Sequence, residues 1–369
     1  MKKKFMLLIV GLLIASLIVG CSQSAAEPAE PAEVAEPAEE ESEAQPEAAE
    51  EENPYEDIKI ALVTDPIGNE QFLLQAYNMV KEMGEEYGFQ WTSMECTDAA
   101  KWEENGRAAA NEGFDLVIGV GWQAGDPFST LADEFEEVKY TVIDTVVPNE
   151  KVTSIGFNET EGNYVLGVLI GNAFPDEELY GYIGNFQTQA NYKYFYGYSE
   201  GVKSVNPDAE FIRNYIDSYT DTSLTYEFAT QQQAAGARVI MGSVSSGANE
   251  GIYQAALDLA EKGTPIYTTG LSIDQTTPDN PYIIAGSLKN TGVTTEYIIS
   301  GFLDGTLGSG PQILSLKENA FGVVHVTTET SNYINSDIIT AEAVAAAKAV
   351  AEQFASGELT MVAPEETIE

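Results

Sequence analysis

Few residues in this chain are of types that do covalent or metal chemistry. Its 369 residues include one histidine, His325, two cysteines, Cys21 and Cys96, and three arginines, Arg107, Arg213 and Arg238. A zinc site draws its ligands from several Cys and His side chains, so one His and one free Cys, with Cys21 read below as acylated, make a poor candidate. His325 lies in the apolar stretch FGVVHV without a serine beside it to activate, and Cys96 reads as a packing residue. The side chains that remain are suited to binding. At the ends of apolar runs stand Thr64-Asp65-Pro66, Gly121-Trp122-Gln123, Asp144-Thr145, Asn185-Phe186, Asp217-Ser218-Tyr219, Ser243 to Gly247, Gly270-Leu271-Ser272 and Lys289-Asn290. Rings of this kind stack on a flat molecule, while carboxylates and carboxamides accept from its N–H and O–H groups. No arginine falls at these ends, so a carboxylate or phosphate would lack its usual forked donor. The expected ligand is small and not a strong anion, and the expected protein binds without catalysing.

The pattern that must position these residues is a strand followed by a helix, repeated. Strands are expected at 58–64, 89–95, 116–121, 139–144 and 153–157, with amphipathic helices at 70–87, 99–111, 127–135 and 164–174. The rhythm restarts with strands at 180–185, 211–217, 238–243, 265–270 and 282–289 and helices at 191–204, 223–235 and 249–261. A helix at 293–303, strands over QILSL and FGVVHV, and a helix at 341–355 follow. Alternation of this kind builds a parallel sheet covered on both faces. The expected fold class is α/β, with two doubly wound parallel-sheet lobes joined by a hinge: lobe 1 over 58–176 plus part of 290–330, and lobe 2 over 177–289 plus part of 304–369. Ligands of such sheets sit beyond the carboxyl ends of the strands, where the residues above gather.

Ahead of these lobes the chain changes character twice. Lys2, Lys3 and Lys4 precede an apolar run from Phe5 to Gly20, the layout of an export signal and short of the about 20 residues that span a bilayer. Small residues then lead into Cys21, as in bacterial lipoproteins, where the cysteine is acylated and becomes the new N-terminus. From Ser22 to Asp57 there are fourteen acidic residues, no basic ones and repeated Ala-Glu-Pro units. That composition suits a disordered tether, residues 21–57, reaching at most about 110 Å at about 3.1 Å per residue. The expected location is the extracytoplasmic face of the membrane, lipid-anchored. A formal charge of −42 excludes nucleic acid as a partner and leaves attachment to the lipid.

The order of these motifs resembles the basic membrane protein family of lipoproteins, whose type member is the purine nucleoside receptor of an ABC importer. The likeness runs from Ile58 to Gly357 and rests on FDLVIGVGW (114–122), YTVIDTVV (140–147), FNETEGNYVLGVLIG (157–171), GYSEGVKSVNP (197–207), DSYTD (217–221), the Gly247 and Gly251 turn into IYQAA, and GSLKNTGVTTEYI (286–298). It implies the type I periplasmic-binding-protein fold, closing on ligand, and an ABC permease as partner. It also implies site residues: Phe72 and Tyr253 as aromatics stacking on a base, Trp122 in the turn after the GVG strand, Asp144 and Lys289 facing the cleft, and Ser272 in the loop that follows Gly270. Asp65, Asn69, Gly247 and Asp274 are further candidates, with Asn69 equally a helix cap and Asp274 equally a hinge support. Two motifs depart from the family. Gln71-Phe72-Leu73 replaces Ser-Phe-Asn, and Ser272 replaces the first acid of Gly-Val-Asp-x-Asp-Gln. Losing one partner of a ligand hydroxyl weakens its selection by about 1–3 kcal/mol, so the expectation is a nucleoside-like or other small heterocyclic ligand, with no cofactor and no metal. The alternative role is a sensor of the same fold signalling to a membrane kinase.

Overall fold

The computed structural model describes residues 53–68 and 70–366. The export signal, Cys21, most of the tether and Asn69 lie outside the described residues. The first sheet takes β1 (Lys59–Thr64), β2 (Gln90–Glu95), β3 (Leu116–Val120), β4 (Lys139–Ile143) and β5 (Thr153–Phe157), alternating with α1 (Gln71–Tyr87), α2 (Ala99–Asn111) and α3 (Gly125–Glu134). Next comes α4 (Glu159–Ala173). The second sheet takes β6 (Leu179–Gly184), β7 (Glu210–Tyr215), β8 (Val239–Ser243), β9 (Tyr267–Ser272) and β10 (Ile283–Lys289), alternating with α5 (Gln189–Val205), α6 (Thr222–Ala234) and α7 (Glu250–Glu261). The chain ends with α8 (Thr291–Leu303), β11 (Gly310–Leu314), β12 (Phe321–Val323) and α9 (Ala341–Ser356).

Strand order is β11-β5-β4-β3-β1-β2 in one sheet and β12-β10-β9-β8-β6-β7 in the other. The first is parallel throughout. In the second, only β12 runs antiparallel, against β10. The central strands β1, β3, β6 and β8 are almost wholly buried, because helices cover both faces and leave no side for water. The chain passes between the sheets three times: after β5, after β10 and after β11. This is the two-lobed α/β architecture expected from the alternation.

Helix α4 carries a mostly apolar sequence on every side, which suits a helix enclosed on all sides. It packs along α5 and α9, and the α5 contact is a backbone-to-backbone one. A Cβ placed on Gly167 would stand 2.2 Å from the Tyr198 carbonyl oxygen, and one on Gly201 would stand 2.1 Å from that of Tyr164. Residues 197–201, Gly-Tyr-Ser-Glu-Gly, have the GxSxG form of a nucleophile elbow, but that device needs a strand-to-helix turn. Here the string lies inside α5, and its glycines serve the packing.

Several sequence expectations are corrected. Helix α4 begins at Glu159, five residues early, because Asn158 accepts from the Glu161 N–H and two acids fill the first turn. The N-cap of α1 is Glu70, not Asn69. The stretch FGVVHV is a strand only to Val323. His325 adopts φ +70° in the turn that follows, and its ring lies between Ser331 Oγ at 2.9 Å and the Ile284 carbonyl at 3.1 Å. Residues 53–57, expected within the tether, fold against α1: the Asn53 amide donates to the Tyr87 carbonyl at 2.9 Å, and Tyr55 meets the Tyr87 ring edge-on.

Candidate functional site

The carboxyl ends of both sheets face a cavity of about 540 Å³ with a second of about 380 Å³ beside it. Phe72, Trp122, Asp144, Ser272 and Lys289 all line the larger one. On the first sheet, β3 is followed by Gly121, whose φ of +131° is a conformation that side chains rarely adopt. The chain turns at once, and the Trp122 ring stays 59 % exposed. Phe72 sits in the first turn of α1, half-buried, with its carbonyl oxygen accepting from Thr291 Oγ1. Asp144 and Ser272 close β4 and β9 with φ of +82° and +70°. Non-glycine residues in this region concentrate at functional sites.

The electrostatic centre is Lys289, at the end of β10. It forms an ion pair with Asp144 and lies 3.4 Å from Glu159 Oε1, at the start of α4. It also sits over the rings of Phe157 and Tyr194, at 5.1 and 5.6 Å. Burial acts against the ammonium, but Asp144, Tyr194 and Glu159 together outweigh it and hold the pKa well above the ordinary lysine range. Lys289 therefore remains an ammonium and ties strand ends of the two sheets together.

A second bond joins the two sides. Glu70 accepts from the Phe72 N–H at 3.4 Å and from the Ser246 hydroxyl at 3.0 Å, which brings the start of α1 to the loop after β8. On the second sheet, Tyr194, Tyr219, Asn185 and Asn191 complete the wall. Tyr219 is 50 % exposed and meets Phe186 edge-on at 5.0 Å.

Other expected site residues stand elsewhere. Tyr253 is absent from both cavity walls. It is 4 % exposed in the core, its hydroxyl donates to Gln275 Oε1 at 2.8 Å, and burial pushes its phenol pKa up. It acts on the site at second hand, since Gln275 also donates to the Ser246 carbonyl at 3.2 Å and accepts from the Leu271 N–H. Asp274 accepts from the N–H groups of Thr276 and Asn332, so it fastens the segment after His325 to the end of β9. Gly247 lines neither cavity. Asp65 lines the smaller one, accepts from the Gln123 amide at 2.8 Å, and has a carboxyl raised above its ordinary range by burial. Cys96 is buried and free, its thiol pushed up to about 11 by burial. Glu70, Glu159 and Tyr194 are among the wall residues that sequence reasoning passed over. A signal for two of them was present: Glu70 lies two residues before Phe72, and Glu159 lies two residues after the end of β5.

Residues 59–358 match the family described as ABC transporter substrate-binding protein, PnrA-like. The chain belongs to this family. Among its relatives is the ABC transporter nucleoside-binding protein BmpA of Lactococcus lactis, 24 % identical over 77 % of this chain and 87 % of that one. Basic membrane protein A of Borreliella afzelii is 25 % identical over 72 % and 82 %. An uncharacterized lipoprotein of Pyrococcus horikoshii is 26 % identical over 87 % and 77 %. An ABC transporter solute-binding protein of Aeropyrum pernix K1 superposes with a TM-score of 0.70 at 21 % identity, over 84 % of this chain and 94 % of that one. That likeness fixes the type I periplasmic-binding-protein fold. Within a substrate-binding family, the cavity between the sheets is the natural place to look for the ligand.

Proposed function

We propose that this protein captures a nucleoside-like or other small heterocyclic compound between its lobes and delivers it to an ABC permease, held at the extracytoplasmic face by lipid on Cys21. The observation that carries the reading is the cavity itself: Phe72 and Trp122 offer rings from the first sheet, Tyr194 and Tyr219 from the second, and hydrogen-bonding groups fill the space between. A ring slotted between such walls gains stacking and loses water on both faces. The name of the Lactococcus relative supports a base-bearing ligand, and that of the Pyrococcus relative supports a lipid anchor. Leu73 and Ser272, where the resemblance leads one to expect Asn and Asp, favour a cargo that differs from an ordinary purine nucleoside. Denaturing the purified full-length protein and identifying the released small molecules by mass spectrometry tests this. A flat heterocycle in near-stoichiometric amount is the expected result. A sugar or amino acid without a ring system would overturn it.

A further inference from the structure

The walls of the cleft are unbalanced in charge. Around the larger cavity stand three carboxylates, Glu70, Asp144 and Glu159, against the single ammonium of Lys289. Asp65 adds another carboxylate to the adjoining space. Lys289 is already engaged by both Asp144 and Glu159, while Glu70 has only a hydroxyl and an N–H for company. Among the described residues, no arginine or histidine lines either cavity. Beside this excess lie Trp122 and Tyr219, large rings left half-exposed or more. Glu70, Phe72, Trp122 and Asp144 border both cavities, so the carboxylate without a cationic partner and the open indole belong to the walls that the two cavities share.

Closing lobes over a ligand strips water from these groups. A neutral ligand with hydroxyls gives the carboxylates donors but leaves the excess charge in place, in surroundings that now screen it poorly. A cation supplies the missing charge and is attracted to the ring faces as well. The long-range field acts the same way, since a chain with a formal charge of −42 gathers cations and repels anions. We infer that the ligand is positively charged: a flat heterocycle bearing a protonated or quaternary nitrogen, its charge held between the Glu70 carboxylate and the Trp122 ring. This rests on the capture of a heterocycle proposed above and narrows it to a chemical class.

The test compares ligands of one shape and two charges on the full-length protein freed of bound small molecules. Adenosine and 1-methyladenosine, protonated at neutral pH, form one pair; nicotinamide and N1-methylnicotinamide form another. Calorimetric titration should show the cation of a pair binding at least about tenfold more tightly, with the advantage shrinking as salt is added. Glu70→Gln should narrow the ratio between cation and neutral analogue about tenfold; Asp65→Asn serves as a second variant should Glu70→Gln unfold. If the neutral member binds as well or better, the charge inference falls and capture of a flat ring stands. If no member binds, the molecule released on denaturation decides. A cationic heterocycle supports the inference, a neutral heterocycle overturns it alone, and a molecule without a ring system overturns both readings.

Discussion

Lys289 shows how much one side chain can hold. Its ammonium is largely buried against Asp144 and Glu159, and removing it leaves two neighbouring carboxylates without their counter-charge. Lys289→Met is expected to lower stability by about 1.5–3 kcal/mol, read as a shift of the urea midpoint at unchanged slope. Phe72→Ala leaves the helix cap in place and removes a ring from the wall, so affinity for the captured ligand should fall by about 1–3 kcal/mol. Unchanged affinity in titration would remove Phe72 from the site. His325 gives a pH dependence of stability. Burial lowers its pKa, and a ring nitrogen facing the Ile284 carbonyl keeps its proton as a donor, which is the neutral form with Ser331 donating to the other nitrogen. The folded chain thus resists protonation that the unfolded chain accepts at about 6.5. The contribution is present above about pH 6.5 and is lost as pH falls through the folded value. Asn tolerates positive φ, so thermal melts of His325→Asn should show a smaller loss of stability between neutral and mildly acidic pH than the wild type.

At the scale of elements, the α4–α5 contact sets the tightest constraint. Gly167, Gly197 and Gly201 let the two backbones approach to a distance at which any Cβ collides with a carbonyl oxygen. Gly201→Val should therefore cost at least about 1–3 kcal/mol through overpacking, and ligand binding should weaken too, since α4 begins with Glu159 beneath Lys289. A melting temperature equal to that of the wild type would show that the helices separate freely. The strand ends behave differently. Asp144 and Ser272 hold positive φ where β4 and β9 stop, which turns their side chains out of the ladder and into the cavity wall. Helix and strand extents were largely legible in sequence because apolar periodicity reports which face is buried. The start of α4 was not, since Asn158 and the acids behind it read as loop until their role as cap is seen.

For the whole molecule, the chain passing three times between two sheets makes closure a motion about a few short segments, as in other hinged proteins. Among the bonds that hold the sides together are those of Lys289 with Asp144 and of Ser246 with Glu70. A ligand that bridges the same walls adds to them, so saturation at about 100 times Kd should stabilise the fold by about 2.7 kcal/mol. The radius of gyration in solution scattering should fall at the same time. Thermal stabilisation without compaction would mean that the ligand binds one lobe only.

Sequence alone determined the alternation of strand and helix, the scarcity of histidine, cysteine and arginine, the acidic balance and the places where strands end, because each depends on local composition or spacing. It also marked Phe72, Trp122, Asp144, Ser272 and Lys289, which the fold then brings to one cavity. Only the tertiary structure decided that Tyr253 packs in the core instead of facing that cavity, since a buried face and a ligand-facing one have the same periodicity. It also joined Glu70 to Ser246 across 176 positions and set Tyr194 beneath Lys289. Contacts between residues so far apart in the chain have no local signature, because they arise from the packing of the two sheets.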